Sequence, residues 1–152
     1  MGYYLQAIIG KESLAGGPRF PSTRIVPLRQ GPSMIPVTDE LFDAIQAALP
    51  DEDERLQRFE KLSAPVAWWA RNLSASGMIA YIEAEFFGGV GGQSAVAWRD
   101  GEIILGPVHS EDAINIALRL FGVEVGGEFD EFDAVGLGLH RSNEEWLTGN
   151  TI

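Results

Sequence analysis

The chain of 152 residues contains no cysteine. That removes disulfides, thiolate nucleophiles, iron–sulfur clusters and cysteine-ligated zinc together. Histidine is almost as scarce: His109 and His140 are the two, so an imidazole base or metal ligand has to be one of them. Basic residues are few as well. Eleven Lys and Arg stand against 22 Asp and Glu, a net charge of −11. A field of that sign repels phosphate backbones and anionic lipid, so neither a nucleic acid nor a membrane is an expected partner. It suits a soluble protein, or one whose partner is basic. No apolar run approaches the length of a membrane span. The start, Met1-Gly2-Tyr3-Tyr4-Leu5, has no basic n-region, and Gln6 stands where myristoylation wants Ser or Thr. The expected location is the cytoplasm.

What is present reads as one domain over 1–152, long enough to bury about 68–70 % of its unfolded surface without metal or crosslink. Tyr3 to Ile9 is aromatic and β-branched and stops at Gly10, a strand. Arg24 to Arg29 forms an edge-like strand, since Pro27 cannot donate to a ladder, and Gly31-Pro32 closes it. Thr38 caps a helix striped by Leu41, Phe42, Ile45, Ala48 and Leu49. Asp51 to Glu54 opens a second helical stretch through Leu56, Phe59 and Leu62, and Ser63 with Pro65 opens a third that Gly77 stops.

Met78 to Phe87 alternates as a long strand, with Ala80, Ile82, Ala84 and Phe86 on one face and Ile79, Tyr81, Glu83, Glu85 and Phe87 on the other. Gly88 to Gly92 is a turn. Gln93 to Trp98 and Glu102 to Leu105 are strands joined at Asp100-Gly101, a strong hairpin pair. Ser110 caps a helix that Gly122 ends, and Ser142-Asn143-Glu144-Glu145 is a capping box before a short helix. The expected class is α+β: a mainly antiparallel sheet with a three-stranded meander in the C-terminal half, packed by three to four helices.

Each motif that offers chemistry has a plainer explanation. Phosphate loops aim backbone amides from a helix N-terminus, whereas the segment after Gly88–Gly92 is strand-like and no lysine follows it. Ser94 lacks a nucleophile elbow, because Val96 holds the second glycine position, and a Ser94–His140–Asp133 triad has little beyond composition behind it. Glu83 and Glu85 share a strand face with Tyr81 and Phe87. Paired carboxylates there can serve acid–base work or hold a metal with a histidine; a solvated outer face is the simpler reading, and the apolar–acidic mixture suits a partner-facing surface. Asp130, Glu131 and Asp133, interleaved with Phe129 and Phe132, lack a calcium-loop pattern and read as a solvated turn with its aromatics anchored in the core. His109, just before a helix cap, reads as structural. His140-Arg141 lies in a loop that can be functional, and the four tryptophans fit core or rim positions. No catalytic set, cofactor or metal site is expected.

The segments Tyr81-Ile82-Glu83-Ala84-Glu85-Phe86-Phe87-Gly88-Gly89, Asp130-Glu131-Phe132-Asp133 and Leu139-His140-Arg141 resemble small bacterial proteins akin to the immunity proteins that accompany polymorphic toxins. The resemblance covers the C-terminal half and brings no catalytic residues with it. It implies a protein-binding module that neutralises a basic partner such as a nuclease-like toxin, with Tyr81, Glu83, Glu85, Phe87, Asp130, Glu131, Asp133, His140 and Arg141 at the contact. Two other functions fit the composition. One is a small hydrolase or metal-dependent enzyme using Glu83, Glu85 and His140 or His109, which requires a concave pocket where they converge. The other is a homo-oligomer burying the mixed sheet face against a copy of itself.

Overall fold

In the computed structural model, residues 2–51, 56, 58–87 and 90–148 are described. Among these, six strands make one antiparallel sheet in the order β2-β3-β1-β4-β5-β6, with β1 Tyr3–Gly10, β2 Val26–Pro27, β3 Ser33–Pro36, β4 Ile79–Phe87, β5 Val90–Arg99 and β6 Glu102–Ser110. The α+β class and the β4-β5-β6 meander agree with the periodicity. At the β5–β6 turn, Asp100 (φ 53°) and Gly101 (φ 79°) both take the left-handed conformation that the tight hairpin requires. Five helices accompany the sheet: α1 Asp39–Ala48, α2 Ala64–Leu73, α3 Ala113–Leu120, the single turn α4 Glu131–Ala134, and α5 Asn143–Thr148.

Both faces of the sheet are covered. On one, Leu5, Ala7, Ile82, Ala84 and Ala95 pack with Ile114, Leu118, Val135 and Trp146 from α3 and the C-terminal turns. On the other, Ile8, Ile79, Tyr81, Val96 and Trp98 pack beneath Leu41 and Ile45 of α1 and Val66 and Trp69 of α2. The small residues of β4 and β5 on the first face let α3 approach closely, while the second face is bulky and aromatic. Thr38 Oγ1 accepts from Leu41 N at 3.1 Å and Ser63 Oγ from Val66 N at 3.4 Å, so both expected caps form. Ser142 Oγ accepts from Glu145 N at 3.2 Å, while the Glu145 carboxylate reaches back to Arg141 N at 3.1 Å.

Several expectations need correction. The expected edge strand at 24–29 shrinks to Val26–Pro27, and β3, hidden between Pro32 and Pro36, is an additional strand that lies between it and β1. The helical stretch begun at Asp51 lies partly outside the described residues, and Phe59 to Leu62 are not helical. β6 continues past Leu105 to Ser110, so Ser110 ends a strand instead of capping α3. Asp112 holds the N-cap position without a side-chain cap bond, and Ser110 Oγ donates to Asp112 Oδ1 at 2.8 Å.

Candidate functional site

Strand register sets the site. Gln6 pairs with Glu83, Glu83 with Ser94, and Ser94 with His109, so one rung of polar side chains crosses β1, β4, β5 and β6. The next rung places Tyr4 opposite Glu85 and Glu85 opposite Gly92. These residues lie on the α1/α2 face, beyond the part that the helices cover. With Arg58, Glu60 and Phe87 they line an open cavity of about 560 Å³.

The wall over the rung is the segment 58–61. Phe59 sits on both aromatic neighbours, its ring centroid 5.8 Å from Tyr81 and 5.0 Å from His109. Glu83 anchors the backbone behind it: its carboxylate accepts from Glu60 N at 2.9 Å, Lys61 N at 2.8 Å and the Tyr81 hydroxyl at 2.6 Å. Lys61 Nζ in turn donates to Val37 O at 2.9 Å and pairs with Asp39 at 3.0 Å. Glu83 is therefore fully engaged in holding the wall.

Two further carboxyls stand above it. The Tyr4 hydroxyl donates to Glu60 Oε2, and that bond, with burial and the Glu60 charge, pushes the Tyr4 titration upward. Glu85 is held above the ordinary carboxylate range, first by its hydrogen bond to the Glu60 carboxyl, then by partial burial and by the charges of Glu60 and Glu83. Burial, reinforced by Glu83, likewise raises Tyr81 well above a free tyrosine.

Ser94 Oγ and His109 Nδ1 are 2.7 Å apart. Burial and the nearby Arg58 hold His109 below its usual range against the opposing pull of Glu83, so a neutral ring is favoured. A neutral imidazole on a serine hydroxyl is the first element of a nucleophile. Acyl transfer also needs donors aimed at a developing oxyanion, and the three carboxyls of Glu60, Glu83 and Glu85 oppose that charge. The same carboxyls favour a cation.

The sequence-derived contact residues divide. Glu83, Glu85 and Phe87 meet at the cavity, and Arg141 joins Glu85 and Phe87 along an adjoining apolar groove with Tyr4 and Phe86. Phe87 is 77 % exposed. Tyr81 and Glu83 do not form an outer solvated face: Tyr81 is 0 % exposed and Glu83 is buried, because α2 and segment 58–61 cover a face that alternation alone leaves open. Asp130, Glu131 and Asp133 lie on the opposite side of the sheet, around α4. There Asp130 caps α4 by accepting from Asp133 N at 2.9 Å and also holds Asn115 at 3.1 Å.

Glu131 is buried and paired with Arg119 at 2.8 Å, an ion pair that lowers its titration, so it is no part of an exposed contact. Burial and the charges of Asp130 and Glu128 raise Asp133. Of the interleaved aromatics, Phe132 packs on Tyr3 at 5.4 Å, but Phe129 is 88 % exposed and anchors nothing. His140 lies against Trp146 at 4.6 Å. The partner of Ser94 is thus His109, not His140. Asp133 lies across the sheet, so the Ser94–His140–Asp133 triad is not assembled.

Gln6, Tyr4 and Glu60 are the members that sequence reasoning left out, while His109 entered it only as an alternative to His140. Glu83 opposite Ser94 was not legible, because the expected turn at Gly88–Gly92 is shorter: Val90 to Gly92 already belong to β5, with Phe87 opposite Val90, and Gly88 and Gly89 lie outside the described residues. Nor was His109 opposite Ser94: β6 carries one extra residue between the partners of Trp98 and Ala97, and another between those of Ala97 and Ala95. Gly106 (φ 79°), whose Cβ would lie 2.7 Å from Ala95 O, marks the place where the strand deviates. Comparison with protein-family models, with curated proteins and with solved structures finds no match. Among the described residues no helix is long and apolar enough to cross a membrane.

Proposed function

We propose that the protein is a cytoplasmic binding module of the immunity type that captures a basic protein partner through the cavity between β1, β4 and segment 58–61. The observation that carries this reading is that Glu60, Glu83 and Glu85 line one open cavity together with the exposed ring of Phe87. An acidic recess with an aromatic rim suits a cationic side chain, and the −11 net charge steers a basic partner toward it.

The test is isolation of a stoichiometric partner at low salt from cells that natively make the chain, followed by reconstitution from pure components. Glu85→Lys and Phe87→Ala are each expected to weaken the reconstituted complex by about tenfold or more, and salt to weaken it progressively. Absence of a stoichiometric partner, or indifference to both substitutions, overturns the reading.

A second reading rests on the 2.7 Å Ser94–His109 contact: a serine hydrolase with His109 as base. Its test is a fluorophosphonate probe. Covalent labelling of Ser94, lost in His109→Ala, would favour it; an unlabelled protein would remove it.

A further inference from the structure

Gln6 introduces an observation that the partner reading does not use. Its side chain lines the cavity in the same rung as Glu83, is 1 % exposed, and its Oε1 has no hydrogen-bond partner among the described residues. A buried acceptor left without a donor is disfavoured in a folded protein, and here it borders a cavity lined also by Glu60, Glu83 and Glu85, together with Arg58, Ser94 and His109. Nearby hydroxyl donors are already directed elsewhere, Tyr4 to Glu60 and Tyr81 to Glu83. The backbone amides of Glu60 and Lys61 are taken up by Glu83. Among the described residues of the lining, the carboxyls of Glu60, Glu83, Glu85 and Glu111 outnumber the single guanidinium of Arg58.

Resting on the partner reading, we infer that this cavity is the seat of one guanidinium group, carried by an arginine side chain of the basic partner, with Glu85 and Glu60 as its ionic contacts, Gln6 Oε1 as a neutral acceptor and Phe87 against its stem or plane. The chemistry distinguishes this occupant from others. A planar guanidinium offers five N–H donors in a fork that matches a carboxylate and spreads to a second acceptor, whereas an ammonium offers three from a point. A guanidinium also stacks on an aromatic ring as it loses water, and Phe87 provides an exposed one at the rim. A metal ion fits less well, since among the described residues no three acidic or histidine side chains are placed to hold one.

Charge balance follows from the carboxyl pair. With the cavity empty, Glu60 and Glu85 sit against each other and Glu85 holds on to its proton above the ordinary range. A bound cation favours the ionised form of Glu85 and so opposes that upward shift. Arg58, already at the cavity wall, supplies a competing positive charge. The other titratable groups facing the pair are Tyr4, Glu83, His109 and Glu111.

The probes are small and defined: N-acetyl-arginine amide, N-acetyl-lysine amide and the neutral isostere N-acetyl-citrulline amide, each titrated into the isotope-labelled full chain and followed by NMR. The arginine probe is expected to give saturable shifts at the Gln6 side-chain amide and at the Glu85 and Ser94 backbone amides, with millimolar affinity. The lysine probe should bind about fivefold or more weakly, and citrulline should give no saturable shift. Affinity should rise with pH across the carboxylate range, fall by about fivefold in Glu85→Gln and rise in Arg58→Ala. Gln6→Leu, which removes the orphan acceptor, should weaken arginine more than lysine. No saturable response to arginine, or an equal response to citrulline, overturns the inference even where a partner is captured. Saturable arginine binding without a stoichiometric partner sustains the site and overturns the partner reading instead.

Discussion

Replacing Glu83 by alanine tests whether one carboxylate holds the cavity wall. The native carboxylate accepts from Glu60 N, Lys61 N and the Tyr81 hydroxyl at 2.6–2.9 Å. In Glu83→Ala the wholly buried Tyr81 hydroxyl has no substitute acceptor, a cost of about 1–3 kcal/mol. The two half-buried amides can turn partly to water, so each loses about 0.5–1.5 kcal/mol. The expected destabilisation is about 2–6 kcal/mol, which lowers Tm by about 4–24 °C for a chain of this size. Urea denaturation measures the free energy, and hydrogen exchange should show lost protection at the Glu60 and Lys61 amides. A control sharpens the test. Removing the orphaned hydroxyl should restore part of the loss, so Tyr81→Phe/Glu83→Ala should be more stable than Glu83→Ala alone. A Glu83→Ala protein within about 1 kcal/mol of wild type, or a Tyr81→Phe cost that simply adds, would refute the latch.

Three further outcomes follow from the same geometry. Glu85 titrates above its ordinary range, so its ionisation opposes folding: the fold loses stability as pH climbs from the unfolded carboxylate range through the raised native one. Glu85→Gln should therefore raise Tm slightly at pH 7 and leave it unchanged near about pH 3, where both forms are protonated. Asn143 is buried and exchanges two bonds with the Gln6 backbone, at 3.0 and 2.9 Å; Asn143→Ala leaves the Gln6 N–H without an acceptor and should cost about 2–3 kcal/mol by urea titration. At Gly91 (φ 152°) an added Cβ would sit 1.8 Å from the Glu85 carbonyl oxygen, so Gly91→Ala should cost more than about 2 kcal/mol and displace the amide resonances of Glu85 and Phe87 at the cavity rim.

Local rules made much of the frame legible. Thr38, Ser63 and Ser142 cap where their residue types say they should, and the alternation of β4 correctly divides Ala80, Ile82 and Ala84 from Ile79, Tyr81 and Glu83. The rest depended on partners distant in sequence. Alternation shows that Tyr81 and Glu83 share a face but not that segment 58–61 lies over it, so a buried anchor read as a solvated acid. Likewise the Asp100-Gly101 turn fixes the start of the β5–β6 ladder, while two bulges further along decide that His109 meets Ser94. Gln6 gave no signal at all: an isolated polar residue in an apolar strand has meaning only once its cross-strand neighbours are known. β3 was hidden because the prolines bounding it look like loop punctuation, although a strand next to a short edge tolerates them.

The bond between Gln6 and Asn143 spans 137 positions, and Tyr4 N donates to Arg141 O at 2.7 Å beside it. Strand β1 lies inside the sheet, between β3 and β4, so its surroundings are complete only when segments far along the chain have joined it. Contacts of such long range make folding slow. The neighbourhood of Gln6 therefore settles only once Asn143 has docked on β1, and the acidic recess is completed with it.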